Sequence, residues 1–289
     1  MKKTIFLCVG GDARQTYTAK ALAEYGRVYT YGINDTGEKT IPVSDPYQMT
    51  ERADILVLPV MKGEGLEISS FRGKKIYCSD VSGLLNKKAL VTGGRLSRIQ
   101  IEYFSSLGFD VKDYFNREEL VIKNCIPTAE GALQIAMQEL ACTVKDSDVL
   151  IIGYGRVGKA CAELFDAVGA RTAVTARRVS QLAEAENSGL GSFSLSELYG
   201  RIARFSVIVN TVPAMILDET LLEAVGKDTL IIDLASKPGG VDFETAARLN
   251  RRVVWALSLP GKVAPMTSGE IVAGAVVNIL QERGRKNVT

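Results

Sequence analysis

The amino-acid sequence predicts an α/β protein with two domains, and three observations support this fold class. Short apolar runs alternate with helix-like segments along the whole chain, a pattern typical of parallel sheets. A GxGxxG motif follows one such run near the middle of the chain. The length of 289 residues suits two domains. We expect an N-terminal flavodoxin-like or Rossmann-like α/β domain over residues 1–125 and a C-terminal Rossmann domain, with a doubly wound parallel sheet, over residues 126–266.

The first domain is predicted to contain two amphipathic helices and six strands. The helices are expected at Arg14–Tyr25 and Leu96–Leu107, followed by Gly26 and Gly108 in the position where glycine ends a helix. The strands are expected at Thr4–Val9, Arg27–Tyr31, Asp54–Val60, Lys75–Cys78, Ala89–Val91 and Asp110–Tyr114.

A strongly periodic helix, predicted from Thr128 to Val144, joins the domains. Near the end of the chain, Thr267 and Glu270 have capping-box spacing and precede an apolar helix at Ile271–Leu280. We expect the segment 267–289 to pack back onto the first domain. The strands of the second domain are predicted at Val149–Ile152, Thr172–Thr175, Val207–Asn210, Leu230–Asp233 and Val253–Leu257.

Composition excludes several classes of function. The formal net charge of +2 provides no long-range attraction to nucleic acid or to anionic membranes, and no apolar run approaches the roughly 20 residues of a membrane span. We therefore expect a cytoplasmic protein. The five cysteines lack metal-binding spacing and are interpreted as reduced core residues. Because the chain contains no histidine, a proton must be handled by another side chain or by water.

The GxGxxG motif predicts a dinucleotide site. Gly153 permits a tight turn, Gly155 lets the backbone approach a pyrophosphate, and Gly158 allows close packing of helix and strand. The helix N-terminus then offers N–H groups to the phosphates. Tyr154, Arg156 and Val157 belong to the same predicted cofactor site. The alternative is a turn inherited in a fold that no longer binds a nucleotide.

The end of the second strand of this domain favours NADP over NAD. An NAD enzyme usually has an acid here, but the sequence reads Ala176-Arg177-Arg178 and has no carboxylate until Glu184. A guanidinium can bind a 2′-phosphate in a bidentate manner. Alternatively, the two arginines merely solvate the end of a strand.

Two further loops follow strands of the Rossmann domain, where ligands bind in doubly wound sheets. We predict that they flank the nicotinamide and its ribose, although ordinary turn chemistry explains part of their composition. The predicted cofactor residues in them are Asn210, Thr211, Val212, Pro213, Asp233, Ala235 and Ser236.

With these segments and several others, the chain resembles the family of bacterial dipicolinate synthase A subunits. The resemblance rests on six blocks in the expected order, at Gly10–Arg14, Ile126–Met137, Gly153–Gly158, Asn210–Pro213, Asp233–Gly240 and Leu259–Thr267. It implies oxidation of dihydrodipicolinate, or of its hydroxy-tetrahydro precursor, to pyridine-2,6-dicarboxylate in a branch of the lysine pathway. It also implies the flavoprotein-like B subunit of dipicolinate synthase as partner, in the mother-cell cytoplasm during sporulation. We expect a homo-oligomer as well.

A dicarboxylate substrate favours arginine, lysine and hydroxyl groups. The substrate-side candidates, at strand, turn or helix ends, are Asp12, Arg14, Lys62, Arg95, Ser97 and Thr128. For Thr128 a helix-cap role is the main alternative, and for Arg14 ordinary surface exposure. Leu259–Pro265 is predicted to be a turn in which Pro260 and Gly261 approach the cofactor. Lys262 is the first candidate for a catalytic proton acceptor, with Glu130 and water as others; the alternative for Lys262 is a solvated lysine in a turn.

Other functions remain open at this point. Pro260–Thr267 resembles a loop of methylenetetrahydrofolate dehydrogenases, but the Tyr-x-x-x-Lys pair of that family is one residue short at Tyr17–Lys20. An ordinary 2-hydroxyacid dehydrogenase is disfavoured because it requires a catalytic histidine. A non-catalytic NADP-sensing regulatory protein is the alternative from a different class.

Overall fold

The computed structural model describes residues 3–34 and 38–286, except for the side chains of Arg72 and Lys286. It divides into two compact units, residues 1–124 with 264–289 and residues 125–263. Along the first unit lie β1 (Thr4–Val9), α1 (Ala13–Leu22), β2 (Gly26–Tyr31), β3 (Ile41–Val43), β4 (Ala53–Val60), β5 (Glu67–Ile68), β6 (Ile76–Tyr77), α2 (Cys78–Ser82), β7 (Leu85–Gly94), α3 (Arg98–Ser106), β8 (Asp110–Asp113) and α4 (Glu118–Glu139), which continues into the second unit.

The second unit repeats the alternation of strand and helix. Its elements are β9 (Asp148–Ile152), α5 (Arg156–Ala167), β10 (Arg171–Ala176), α6 (Val179–Asn187), β11 (Gly191–Ser194), α7 (Leu198–Arg201), β12 (Val207–Asn210), α8 (Glu219–Ala224), β13 (Leu230–Asp233), α9 (Phe243–Arg248), β14 (Arg252–Trp255) and α10 (Leu259–Val263). The last helix, α11 (Pro265–Lys286), belongs to the first unit.

Each unit contains one parallel sheet of six strands, and the two sheets have the same topology. The strand orders are β3-β2-β1-β4-β7-β8 and β11-β10-β9-β12-β13-β14. Counted along the chain within each sheet, both orders are 3-2-1-4-5-6, the doubly wound Rossmann order. The α/β prediction is confirmed, and of the two alternatives for the first domain the structure is Rossmann-like rather than flavodoxin-like.

Burial on both faces explains why the strands are nearly continuous apolar runs. In β1, Phe6 and Cys8 pack with residues of α1 and α11, whereas Ile5, Leu7 and Val9 pack in the cluster on the opposite face. In the second unit, Val149 and Ile151 of β9 likewise belong to one cluster and Leu150 and Ile152 to another. None of the described helices is long and apolar enough to cross a membrane.

Several local predictions were wrong. Gly26 begins β2 instead of ending α1, because three residues separate it from Leu22. The strand predicted at Lys75–Cys78 is shortened to β6, which pairs antiparallel with β5 outside the main sheet. The short strands β3, β5 and β11 were missed. Cys142 is exposed, whereas the other four cysteines are buried as predicted.

The ends of two helices also differ from expectation. Thr128 and Val144 do not bound the junction helix, because α4 starts at Glu118 and ends at Glu139 with Pro127 inside it. Thr267 and Glu270 lie within α11 and do not precede it, because Pro265 occupies the first helical position, where its fixed φ suits a helix. Residues 287–289 of the predicted C-terminal segment lie outside the described residues.

Candidate functional site

The glycine turn connects β9 to α5 in the second unit. Gly153 has a φ of 93°, a conformation that disfavours other residues. A Cβ on Gly158 would lie 2.1 Å from the carbonyl oxygen of Gly153, so strand and helix can approach only with glycine there. Gly155 is the N-cap of α5, no side chain caps this helix, and a Cβ on Gly155 would meet no atom within 4 Å. The turn therefore presents an open, backbone-lined helix N-terminus that fits a phosphate group.

The residues between these glycines support the turn in different ways. The side chain of Tyr154 is buried, and its carbonyl accepts a hydrogen bond of 2.8 Å from Gln181 Nε2 of α6. Val157 packs against the core cluster, whereas Arg156 is exposed. Of the three, only Arg156 extends its side chain into solvent.

The end of β10 carries two exposed arginines. Ala176 is the last residue of the strand and is buried, whereas Arg177 and Arg178 are both exposed. Arg178 is the N-cap of α6, which no side chain caps. Within the described part of the chain neither arginine forms a salt bridge. Two cationic groups thus follow the second strand of the Rossmann sheet.

Asn210 and Asp233 form a buried brace at the ends of β12 and β13. Asn210 Nδ2 donates to Asp233 Oδ1 at 2.8 Å and to the carbonyl of Val212 at 3.1 Å. The Asp233 carboxylate also accepts the N–H groups of Ala235 and Gly240 at 3.1 and 2.9 Å. Both side chains are fully buried, so they fix the two loops and do not extend toward a ligand.

Three other predicted side chains of these two loops either contact the end of β9 or are exposed to solvent. Thr211 Oγ1 donates to the carbonyl of Ile152 at 2.9 Å, which joins the β12 loop to the end of β9. Pro213 and Ser236 are exposed. Both side chains are therefore accessible to a nucleotide, unlike the buried side chains of Asn210 and Asp233.

The predicted catalytic residues lie on helices. Leu259–Pro265 was predicted to be a turn, but Leu259–Val263 forms α10 and contains Pro260, Gly261 and Lys262. The turn formers do not prevent a helix because proline is tolerated in the first turn. A Cβ on Gly131 of α4 would lie 2.9 Å from Leu259 Cβ, so α4 and α10 pack closely. Lys262 and Glu130 are both exposed.

Thr128 cannot cap a helix as predicted, since α4 continues through it from Glu118. Pro127 lacks an N–H and disfavours a helical residue before it, which made it look like a boundary in the sequence. Packing nevertheless keeps α4 continuous through Pro127. The helix is buried on both sides of this residue, at Leu120, Cys125 and Ala129.

A pocket lies in the first unit at the ends of β1 and β4, the point where the strand order reverses. Such switch points are where doubly wound sheets bind ligands. Three of the predicted substrate residues, Asp12, Arg14 and Lys62, line this pocket together. The other lining residues are Gly11, Gln15, Thr18, Pro59, Val60, Ser69, Tyr114 and Val272.

Asp12 and Arg14 form a bidentate ion pair in this pocket. Arg14 Nε donates to Asp12 Oδ1 at 2.9 Å and Nη2 donates to Oδ2 at 2.7 Å, while Asp12 also caps α1 through the N–H of Arg14. The exposed fractions of the side chains are 11% for Arg14 and 38% for Asp12. The arginine is therefore held in a fixed orientation despite its burial.

The pair shifts the pKa of both partners. Burial opposes ionisation of Asp12, but the hydrogen bonds and charge of Arg14, with a contribution from Lys62, hold the pKa of this carboxyl below its usual value. Burial also opposes the charge of Arg14, but Asp12 outweighs it and raises the pKa of the guanidinium. Both groups are consequently charged near neutral pH.

Arg95 and Ser97 do not line the pocket. Arg95 is exposed, and its guanidinium lies over the ring of Phe115 at 5.4 Å. Ser97 is the N-cap of α3, where its hydroxyl accepts the N–H of Gln100 at 3.2 Å and donates to the carbonyl of Glu64 at 2.7 Å. The spacing Ser97-x-x-Gln100 is a capping-box signal visible in the sequence.

Sequence reasoning missed four polar residues of the pocket, Gln15, Thr18, Ser69 and Tyr114. Gln15 is buried and donates to the carbonyl of Val57 at 2.8 Å, and the hydroxyl of buried Tyr114 donates to the carbonyl of Leu58 at 3.1 Å. The carbonyl of Ser69 accepts the N–H of Gly11 at 2.5 Å. Tyr114 could have been predicted, because it directly follows β8 and the carboxyl end of that strand lies on the ligand-binding edge of the sheet. The sequence around Ser69 does not indicate a pocket residue.

Comparison with known protein families finds two matches, one in each unit of the chain. Residues 6–115 match the N-terminal domain family of dipicolinate synthase A subunits. Residues 128–240 match the NAD binding domain of D-isomer specific 2-hydroxyacid dehydrogenases. The second match covers the nucleotide-binding domain and brings no catalytic histidine, since the sequence has none. The chain therefore carries a dehydrogenase-type NAD-binding domain.

Similarity also extends over the full length. The chain is 32% identical over 295 residues to the dipicolinate synthase A subunit of Bacillus subtilis (strain 168), covering 95% of each protein. Its structure is similar to the crystal structure of the dipicolinate synthase A subunit from Bacillus halodurans, with a TM-score of 0.87, 28% identity and coverage of 96% and 98%. It is also similar to the crystal structure of the Bacillus subtilis protein, with a TM-score of 0.84, 30% identity and coverage of 99% and 98%. On these grounds the chain belongs to the family of dipicolinate synthase A subunits.

Proposed function

We propose that this chain is the dehydrogenase component of a dipicolinate-forming enzyme. It oxidises dihydrodipicolinate, or its hydroxy-tetrahydro precursor with loss of one water molecule, to pyridine-2,6-dicarboxylate with NADP. The observation that carries the proposal is the pocket of the first unit, where a buried, oriented Arg14 and the exposed Lys62 meet at a sheet switch point. Family membership and the dehydrogenase-type NAD-binding domain support the same conclusion.

The charges of the pocket favour one carboxylate of such a substrate. Asp12 neutralises one of the two cations, so Arg14, Lys62 and Asp12 together leave one positive charge. Arg14 already uses Nε and Nη2 for Asp12, and its Nη1 offers further donors in the same plane. A substrate carboxylate that accepts hydrogen bonds from Arg14 and Lys62 would therefore have its charge neutralised, and the Asp12–Arg14 ion pair would stay intact.

NADP is the proposed cofactor. The open glycine turn fits its pyrophosphate, and Arg177 and Arg178 provide two cations for the 2′-phosphate. When bound, the nicotinamide ring supplies the hydride acceptor. The brace of Asn210 and Asp233 would hold the β12 and β13 loops beside it in a fixed shape.

Oxidation to an aromatic ring also releases a proton from the substrate. Lys262 and Glu130 are proposed as its acceptors, because both are exposed on helices of the unit that carries the glycine turn. Water is the alternative acceptor. A ring that becomes aromatic requires only a modest base, so the reaction is compatible with a sequence that contains no histidine.

The proposed assembly includes the flavoprotein-like B subunit of dipicolinate synthase, and the proposed location is the mother-cell cytoplasm. A homo-oligomer of this chain is proposed as well. The Bacillus subtilis relative is named as one subunit of its enzyme, which supports a complex with a second protein.

Reconstitution tests this function. The purified chain, with and without a candidate B subunit, is mixed with NADP and with dihydrodipicolinate or its hydroxy-tetrahydro precursor. Formation of NADPH and of pyridine-2,6-dicarboxylate is followed by absorbance. We expect both products in equal amounts. Arg14→Ala should weaken substrate affinity more than NADP affinity, and Lys262→Ala should lower turnover by ~100- to 10,000-fold.

Absence of product with every partner, despite NADP binding, would reject the catalytic proposal and favour an NADP-sensing regulatory protein. Normal turnover after replacement of both Arg14 and Lys262 would reject the assigned residues but leave the reaction intact.

A further inference from the structure

The segment that carries Lys62 is anchored at both ends, where Met61 is buried and Leu66 packs against the same core cluster, but its middle has little packing of its own. We call residues 61–66, between β4 and β5, the Lys62 loop. It contains Gly63 and Gly65, and a Cβ at either position would meet no atom within 4 Å. Lys62, Gly63, Glu64 and Gly65 are all exposed. Side-chain packing at these four positions therefore does not fix the position of Lys62 at the pocket.

Three hydrogen bonds from the start of α3 hold the backbone of this loop. Gln100 Nε2 donates to the carbonyls of Gly63 and Gly65 at 3.1 and 2.5 Å, and Ser97 Oγ donates to the carbonyl of Glu64 at 2.7 Å. Three consecutive carbonyls are thus fixed by two side chains. The position of residues 63–65, which directly follow Lys62, therefore depends on α3, and α3 itself contributes no residue to the pocket.

The side-chain amide of Gln100 is buried and uses all of its hydrogen-bond donors to hold the loop. It is completely buried, and its Oε1 accepts the N–H of Ser97 at 2.9 Å while both donors of Nε2 are used by the loop. A capping box requires only the Oε1 contact, so the two bonds from Nε2 go beyond helix capping. A buried amide with every donor used is costly to disturb, which makes the loop position well defined.

We propose that Gln100 and Ser97 are positioning residues of the substrate pocket, which hold the Lys62 loop so that Lys62 can bind a carboxylate of the substrate. This inference rests on the proposed function of the pocket. It changes the role of Ser97 from a substrate contact to a support of Lys62, and it adds Gln100, which contacts no ligand itself.

Calorimetry on the full-length chain with pyridine-2,6-dicarboxylate as the probe tests the inference. Gln100→Met keeps the length of the side chain but removes its donors, and we expect binding to weaken ~5- to 50-fold. In the Lys62→Ala background the same substitution should change binding by less than ~2-fold, because Gln100 influences binding through the position of Lys62. NADPH affinity should be unchanged in both backgrounds.

A control is Gln48→Met, which removes another capping-box glutamine of the first unit, an exposed one whose Oε1 accepts hydrogen bonds from Ser44 and Asp45. It should leave probe affinity unchanged. If Gln100→Met does not fold, Ser97→Ala and Ser97→Thr replace it: alanine should weaken binding, and threonine, which keeps the hydroxyl, should restore it.

The outcomes separate the two proposals. Equal losses from Gln100→Met, or from Ser97→Ala, with and without Lys62 would overturn the positioning role while the pocket proposal stands, as would no loss in either background. If wild type does not bind the probe, or Lys62→Ala binds it normally, the pocket and the positioning role both fall.

Discussion

The Asp12–Arg14 pair shows how two residues separated by one position in sequence can serve both structure and a proposed site. Asp12 caps α1 and at the same time orients the guanidinium of Arg14, whose side chain is only 11% exposed. A buried charge without a partner would cost several kcal/mol, so the pocket can contain Arg14 only with Asp12 beside it. The sequence indicated both residues because they follow β1, but it could not show that they bind each other.

The pair predicts a pH dependence of stability. Because folding lowers the pKa of Asp12, its contribution is present above the unfolded pKa of about 3.9 and is lost as the pH falls through the lower folded pKa. At pH 7 Asp12→Asn should lower the free energy of unfolding by ~1–3 kcal/mol, less than for a fully buried pair since Asp12 is partly exposed. Urea denaturation from pH 7 to pH 2.5 should show this difference shrinking toward zero in acid. A difference that does not depend on pH would contradict the role of the carboxylate.

Arg177 and Arg178 allow a test of cofactor choice. If they bind the 2′-phosphate, replacement of both by alanine should weaken NADP binding by ~1.5–3 kcal/mol per lost charge-assisted contact and leave NAD binding nearly unchanged. Calorimetry with both dinucleotides measures this. Arg204→Ala is a suitable control because Arg204 is an exposed arginine of the same unit that lies over Phe205. Equal losses for NADP and NAD would reject the assignment.

At the scale of elements, α11 shows how a distant segment supports the pocket. Thr18 Oγ1 of α1 donates to the carbonyl of Gly269 at 3.1 Å, and a Cβ on Gly269 would lie 2.5 Å from the carbonyl oxygen of Arg14. The backbone of the helix that carries Arg14 is thus in direct contact with α11. The apolar periodicity predicted this helix, but nothing local in the sequence shows that Gly269 is the point of close approach.

Two glycines of α11 form a matched pair for testing this contact. Gly269→Ala should destabilise the protein by ~1–3 kcal/mol and weaken dicarboxylate binding, because α1 must move. Gly274→Ala, in the same helix, should be neutral or stabilising by up to ~1 kcal/mol, since its Cβ would meet no atom within 4 Å. Thermal denaturation and calorimetry measure both effects. Similar stability of the two variants would show that the close approach is unimportant.

At the scale of the whole molecule, one topology is used twice with different residues at its switch point. In the second unit the turn after β9 is open at Gly155. In the first unit the corresponding turn after β1 is followed by the Asp12 carboxylate, and a Cβ on Gly10 would lie 2.4 Å from the carbonyl oxygen of Ser69. The anionic cap and the close approach of Ser69 disfavour a pyrophosphate there, which supports the proposal that the first unit binds a smaller anion and the second unit a dinucleotide.

Hydrogen exchange should distinguish the two proposed sites. NADPH should protect amides in Gly153–Gly158 and near Arg177, whereas pyridine-2,6-dicarboxylate should protect Gly10–Thr18 and the Lys62 loop. Mass spectrometry of the full chain with each ligand alone measures the protection. If the dicarboxylate protected only residues 125–263, the first-unit pocket would not be its binding site.

The sequence by itself determined the fold class, most of the main-sheet strands and the glycine turn, because these depend on the spacing of apolar residues and glycines along a short stretch of chain. It also indicated Asp12, Arg14 and Lys62, since the carboxyl ends of parallel strands share one edge. Only the tertiary structure decided that α4 continues through Pro127, that Leu259–Val263 is helical, and that Gln100 supports the Lys62 loop. In these cases packing and hydrogen bonds between distant segments outweigh local preference, and such contacts leave no periodic signal in the sequence.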